Sequence, residues 1–166
     1  MQFRDLGAQY RALKNEIDAG IQSVIESSAF ILGKPVAELE AQLADYAGRK
    51  HCISCANGTE ALQLALMAMD VGPGDAVFTS DFTYFASAGC ASIIGATPVF
   101  VDIDINTFNM SPYALEAQIQ AVLKEGKLTP KVIIPVDLFG QPADYNLIMP
   151  LAEHYGLKIL EDAAQG

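Results

Sequence analysis

Hydrophobic residues recur every three or four positions near the start of the chain, and this periodicity then breaks. The spacing predicts an amphipathic helix over residues 8–28. Its apolar positions are Tyr10, Leu13, Ile17, Ile21 and Ile25. A loop is predicted over residues 27–35, and a second helix over residues 36–46 that ends near Gly48.

From residue 51 onward, short apolar runs alternate with longer amphipathic ones. The short runs are predicted strands, at residues 51–55, 76–79, 98–102, 131–136 and 157–160. The longer runs are predicted helices, which begin near Asn57, Thr83, Ser111 and Asp144. Strands that alternate with helices predict an α/β domain, a three-layer arrangement with a largely parallel sheet flanked by helices.

Composition and charge narrow the choice of partners. The chain has 166 residues, 51% of them hydrophobic, and a formal net charge of −10. Acidic residues are spread along the chain, so we expect no nucleic-acid partner, which would need basic patches.

Residues 82–101 carry no charge, but Gly95 and Pro98 predict a turn between a buried helix and a buried strand, so we expect no membrane span. Residues 1–6 lack the apolar core of a signal peptide.

Cysteine and histidine positions give little support for metal or redox chemistry. Cys52 and Cys55 have the spacing of a redox or zinc pair. No second cysteine pair or histidine pair in the sequence completes such a site, so we predict no metal. With Cys90 the count is odd, which favours a reduced, cytoplasmic chain. His51 and His154 are interpreted as structural or solvated.

Chemically distinctive residues follow three of the predicted strands. The segments are 57–59 with Asn, Gly and Thr, 81–85 with aromatic residues, and 161–165 with acids and an amide. Ligands of open α/β sheets bind beyond the carboxyl ends of strands. Singly, these are ordinary turn, core and capping residues. Together, they suit a flat phosphorylated heterocycle, and the glycine fingerprints of Rossmann and P-loop sites are absent from the sequence.

Short motifs along the whole chain resemble those of a known family. In order they are FRDL (3–6), FILG (30–33), ANGT (56–59), GPGD (72–75), FTY (82–84), GATP (95–98), VDID (101–104), LFGQPAD (138–144) and EDAAQ (161–165). Their order and spacing resemble the pyridoxal-phosphate-dependent nucleotide-sugar aminotransferases of the DegT/DnrJ type, which have the type I aminotransferase fold. The resemblance implies an N-terminal helical segment over residues 1–35 and part of the large cofactor-binding α/β domain over residues 36–166.

The resemblance also implies roles for individual residues. Asp162 would face the pyridine nitrogen of pyridoxal phosphate (PLP) or pyridoxamine phosphate (PMP) and keep it protonated. Gln165 would hydrogen-bond the phenolic oxygen of the ring, and Tyr84 would stack on the ring. Gly58 and Thr59 would hold the phosphate at a helix N-terminus, where the helix dipole favours an anion.

The implied reaction moves an amino group from an amino acid, with L-glutamate as the expected donor, to a keto-sugar nucleotide. The motifs VGPGD (71–75) and ISCANGT (53–59) are most similar to members that aminate UDP-linked 3-keto-uronic acids. Family members are homodimers, so the resemblance implies a homodimer here, and residues 30–33 are expected near a site in that dimer.

The lysine that forms the Schiff base in this family lies downstream of the EDAAQ motif. The lysines of this sequence are at other positions, namely Lys14, Lys34, Lys50, Lys124, Lys127, Lys131 and Lys158. We therefore expect the chain to be the N-terminal part of a longer enzyme and to be inactive alone. Two alternatives stay open at this point: a sugar dehydratase of the same family, and a non-catalytic module that only binds the cofactor.

Overall fold

The computed structural model describes residues 4–166, and Phe3, the first residue of the FRDL motif, lies outside the described residues. The chain forms two compact units, one up to Ser54 and one over Cys55–Gly166. The division predicted from the sequence, at 35/36, falls inside the first of these units. The assignment of residues 1–35 to a helical segment and of residues 36–166 to a cofactor-binding domain remains a prediction.

The first unit contains two helices, both close to their predicted positions. Helix α1 spans Leu6–Ser27 and begins at Asp5, whose carboxylate accepts the N–H of Ala8 at 2.8 Å. Helix α2 spans Lys34–Tyr46, with a proline in its first turn. Neither helix contains a buried residue.

The strand predicted over residues 51–55 is not formed, and that prediction is wrong. The segment is irregular and mostly exposed, with Ile53 86% accessible. A strand is stable only when a neighbour accepts and donates its backbone hydrogen bonds, and among residues 4–166 no strand pairs with this segment. A side chain provides the bonds instead, because the Glu40 carboxylate accepts both the N–H and the hydroxyl of Ser54 at 2.7 Å.

The second unit alternates helices and strands as predicted. Its elements are α3 (Gly58–Ala68), β1 (Asp75–Ser80), α4 (Ala86–Ile93), β2 (Thr97–Val101), α5 (Pro112–Glu125), β3 (Thr129–Ile134), a 3₁₀ turn (Leu138–Gly140), α6 (Tyr145–Tyr155) and β4 (Lys158–Ile159). Side chains of Asn57, Ser111 and Asp144 accept N–H groups at the starts of α3, α5 and α6, as their capping positions predicted.

The four strands form one parallel sheet in the order β2-β1-β3-β4. Alternate residues of the strands pack on opposite sides, which gives two apolar clusters. The cluster on the side of α5 and α6 contains Ala76, Phe78, Val101, Leu115, Ile119, Ile133 and Ile148. The cluster on the side of α3 and α4 contains Leu62, Leu66, Val77, Cys90, Val132 and Ile134. The predicted three-layer α/β architecture is thus confirmed.

Helix α4 and strand β2 account for most of the uncharged segment 82–101. The helix consists largely of small residues, and those from Ala86 to Ala91 are all buried. A Cβ at Gly89 would lie 2.6 Å from the Phe85 ring, so this ring packs directly on the helix backbone. Over residues 4–166, no helix combines the length and apolar character needed to cross a membrane.

Candidate functional site

A cavity of about 320 Å³ lies in the second unit beside the carboxyl ends of β1, β3 and β4. Its walls come from the first turns of α3, the segment between β1 and α4, the residues after β3 and the residues after β4. All five residues predicted from the sequence line this one cavity: Gly58, Thr59, Tyr84, Asp162 and Gln165. The volume lies in the range of small-molecule sites.

The start of α3 forms one side of the cavity. The Asn57 side chain caps the helix by accepting the N–H of Glu60 at 2.9 Å. Gly58 and Thr59 occupy the first helical positions, whose N–H groups have no carbonyl partner within an α-helix. A Cβ at Gly58 would meet no described atom within 4 Å. The helix start therefore presents donors and open space to an anion. The sequence predicted a strand directly before this helix, but residues 51–55 form no strand.

Asp162 is only 8% exposed, and its carboxylate is held at both oxygens. The hydroxyl of Ser87 donates to Oδ2 at 2.7 Å, and the N–H of Ala164 donates to Oδ1 at 3.3 Å. The Asp162 backbone is bound to the chain beyond β3, with its N–H on the Pro135 carbonyl at 2.9 Å and its carbonyl on the Asp137 N–H at 3.0 Å. The position of this carboxylate is therefore fixed by both the sheet end and α4.

The side chain of Gln165 is oriented by an unusual piece of backbone. Its Oε1 accepts the N–H of Phe139 at 2.7 Å. Phe139 has φ 58°, a left-handed conformation that residues with a Cβ rarely adopt. Because Oε1 is occupied, the amide NH₂ of Gln165 is the end that remains to donate to a ligand.

Buried polar residues fix the loop that carries Phe139. Asn109 donates to the carbonyls of Gln141 and Pro142 at 2.9 and 3.0 Å and accepts the N–H of Leu138 at 3.3 Å. Asp137 accepts the N–H of Ala143 and the Tyr145 hydroxyl, both at 2.9 Å.

Burial and the hydrogen bond to Asp137 raise the pKa of Tyr145, which stays protonated and donating. Asn109, Asp137 and Ser87 support the site, and none of them was predicted from the sequence. The LFGQPAD motif was the one sequence feature that marked this loop, and it indicated no role for the individual residues.

The aromatic side of the cavity is open. Tyr84 lines the cavity yet is 75% exposed, so its ring lies at the rim. Thr83 beside it also lines the cavity, and its Oγ1 lies 3.1 Å from the Ser87 hydroxyl. The stacking role of Tyr84 remains a prediction. Among residues 4–166, no lysine lines the cavity.

Comparison with known proteins decides the family. The sequence model of the DegT/DnrJ/EryC1/StrS aminotransferase family matches residues 11–166. The chain belongs to this family. The family that the motifs predicted is therefore confirmed.

Members of the family and their structures match the chain closely. The chain is 51% identical to UDP-2-acetamido-2-deoxy-3-oxo-D-glucuronate aminotransferase of Pseudomonas aeruginosa, with 99% of the chain and 44% of that protein covered. The crystal structure of a DegT DnrJ EryC1 StrS aminotransferase from Brucella abortus superposes with TM-score 0.98 at 52% identity, over 100% of this chain and 44% of that one.

A more distant member carries a ligand. NtdA of Bacillus subtilis, with bound cofactor PMP, superposes with TM-score 0.82 at 29% identity, over 92% of this chain and 33% of that one. The chain thus has the fold of family aminotransferases and spans under half the length of these relatives.

Proposed function

We propose that this chain supplies the cofactor-binding walls of a PLP-dependent nucleotide-sugar aminotransferase. The observation that supports this function is the convergence of the predicted residues, from Gly58 to Gln165, on one cavity. Membership of the aminotransferase family and the PMP-bound relative support the choice of cofactor.

The chemistry of the cavity walls fits PLP and PMP. The first turn of α3, with Gly58 and Thr59, suits the phosphate, because its N–H groups and dipole favour an anion. Asp162 is little exposed and its carboxylate accepts two hydrogen bonds, so it is held in one orientation from which it could accept a further bond from a cationic ring nitrogen. The cavity offers a donor end, a carboxylate end and an aromatic rim, as a phosphorylated heterocycle requires.

In the proposed mechanism, each wall residue performs a simple task. Asp162 holds a proton at the ring nitrogen, and Gln165 donates its amide N–H to the phenolic oxygen. Tyr84 covers the ring face and excludes water. When bound, the cofactor supplies an electron sink for the pair of electrons left when a C–H bond breaks. The whole enzyme exchanges an amino group between an amino acid, with L-glutamate as the proposed donor, and a keto-sugar nucleotide.

The proposed sugar acceptor is a UDP-linked 3-keto-uronic acid. The relative from Pseudomonas aeruginosa, named for a UDP-linked 3-oxo-glucuronate, supports this choice at 51% identity. A panel of keto-sugar nucleotides offered to the whole enzyme, with product detected by mass spectrometry, tests it. Amination of a 4-keto sugar in preference to the 3-keto-uronate contradicts the proposed acceptor while leaving the aminotransferase assignment intact.

PMP binding tests the cofactor proposal directly, because PMP needs no Schiff-base lysine. We expect the 166-residue chain to bind PMP, measured by calorimetry or by ligand fluorescence. Asp162→Asn removes the charge that pairs with the ring nitrogen, and a charge-assisted hydrogen bond is worth about 1.5–3 kcal/mol, so affinity falls by about tenfold or more.

The matched control is Asp70→Asn, which makes the same charge change at an exposed residue outside this cavity. Asp70 has φ 56°, a conformation that asparagine tolerates. Equal PMP affinity for wild type and Asp162→Asn, or no PMP binding by the wild type, contradicts the proposal.

We also propose that the whole enzyme is a cytoplasmic homodimer. The odd count of three free cysteines suits a reducing compartment, and the family resemblance implies the dimer. Light scattering after size-exclusion chromatography tests the dimer, and a monomeric mass at micromolar concentration contradicts it.

A further inference from the structure

We propose that Ser87 is a positioning residue for Asp162, and that Thr83, Ser87 and Asp162 form a directed hydrogen-bond chain from the cavity wall to the carboxylate. The inference rests on the proposed function, because it assigns Ser87 the task of holding Asp162 ready for the cofactor ring nitrogen. Ser87 lies 75 positions from Asp162 and does not itself line the cavity.

The location of Ser87 indicates a specific role for its hydroxyl. Ser87 is fully buried in α4, among alanines, a glycine and a cysteine. A serine inside a helix commonly returns its hydroxyl to a carbonyl of the preceding turn. Here the hydroxyl crosses to another segment and donates to Asp162 Oδ2 at 2.7 Å, a distance typical of a strong bond to a charged acceptor.

The proton positions follow from the chemistry of the groups. The Ser87 hydroxyl donates to Asp162 Oδ2, so its single proton lies toward Asp162. The Thr83 hydroxyl lies 3.1 Å from the Ser87 oxygen, so Thr83 must be the donor in that pair. Thr83 lines the cavity, and its proton points away from the ligand space. Toward a ligand, the Thr83 hydroxyl can therefore only accept a hydrogen bond.

This arrangement orients the Asp162 carboxylate. Oδ1 accepts from Ala164 and Oδ2 from Ser87, so rotation of the carboxylate would break both bonds. Without the Ser87 hydroxyl, Asp162 would keep one donor and rotate more freely.

The test is the PMP affinity of wild type and Ser87→Ala, alone and in the Asp162→Asn background. We expect Ser87→Ala to bind PMP about threefold to tenfold more weakly at pH 7, and this difference to disappear when Asp162 is already replaced by Asn. Ser87→Cys keeps a weaker donor and should lie between the two. It also serves if Ser87→Ala does not fold.

The matched control is Thr79→Val, which also deletes a fully buried hydroxyl. The Thr79 hydroxyl donates to the Ile134 carbonyl at 3.2 Å and does not contact Asp162. Thr79→Val should lower stability without changing PMP affinity. A general loss of packing would affect both variants alike, whereas the proposal requires PMP affinity to fall for Ser87 alone.

The outcomes separate this inference from the proposed function. If the wild type does not bind PMP, the proposed function fails. If the wild type binds PMP and Asp162→Asn weakens binding, but Ser87→Ala and Ser87→Cys keep the wild-type affinity, the positioning role of Ser87 is refuted while the function stands.

Discussion

Asn109 is the side chain whose loss should disturb the cavity loop most. It is 4% exposed, lies between β2 and α5, and makes three hydrogen bonds to the backbone of residues 138–142. Asn109→Ala deletes these bonds together and leaves the N–H of the buried residue Leu138 and two carbonyls without the side-chain partner.

The size of the effect follows from these bonds. A net contribution of about 0.5–1.5 kcal/mol per hydrogen bond gives about 1.5–4.5 kcal/mol for the three bonds. The buried N–H of Leu138 loses its acceptor, while the carbonyls can gain water if the loop loosens. We therefore expect a loss of about 3 kcal/mol in the free energy of unfolding.

Urea unfolding followed by circular dichroism measures this loss. With a denaturant slope of about 1–3 kcal/mol per molar urea, the midpoint should fall by about 1–3 M. Asn106→Ala is the matched control, because Asn106 is exposed in the same connecting segment. A midpoint for Asn109→Ala that stays within about 0.3 M of this control refutes the assigned role of the three bonds.

Three further predictions concern other parts of the second unit. Gly58→Ala should leave the free energy of unfolding unchanged or slightly higher, since its Cβ has open space. The same change should weaken PMP binding about tenfold, because the new methyl group would occupy space that the phosphate needs at the helix start; unchanged affinity in a titration of the purified variant would contradict this. Gly95→Ala should cost about 1–2 kcal/mol in urea unfolding, because φ is +83° and the new Cβ would lie 3.0 Å from Pro73; a loss below about 0.5 kcal/mol counts against this strain. The buried Cys90 thiol should react with a thiol reagent only on unfolding, whereas the exposed Cys55 reacts at once. Burial raises the pKa of the Cys90 thiol in the folded protein. Its contribution to stability is therefore complete below the unfolded pKa of about 8.5 and is lost as pH rises through the folded pKa. An equal loss of stability at alkaline pH in wild type and Cys90→Ala would contradict this.

The fold of the second unit was predictable because its signals are local. Capping residues such as Asn57 and Ser111 lie within a few positions of the N–H groups they satisfy. The strand predicted over residues 51–55, which lie mostly in the first unit, did not form. Residues 51–55 have the apolar composition of a strand, but strand formation depends on a distant partner, which a composition rule cannot supply.

The residues of the candidate site also fall into two groups, those that local sequence motifs predicted and those that depend on distant contacts. Gly58, Asp162 and Gln165 were predictable because they lie in recognisable motifs beside the elements that carry them. Ser87 and Asn109 were not, because their partners lie 75 and about 30 positions away, and a serine in a helix or an asparagine in a loop looks ordinary alone. Supporting residues are defined by three-dimensional contacts rather than by sequence spacing.

The distribution of the cavity walls over the second unit has a thermodynamic consequence. The walls come from four segments that are brought together only when α3, α4 and the sheet have all docked. Any ligand that binds there therefore recognises the completed unit and not its parts. At a hundredfold excess over its dissociation constant, it should stabilise the whole unit by about 2.7 kcal/mol. Slower amide hydrogen exchange should then extend to strand β2, which contributes no residue to the cavity walls, and not only to the residues that touch the ligand.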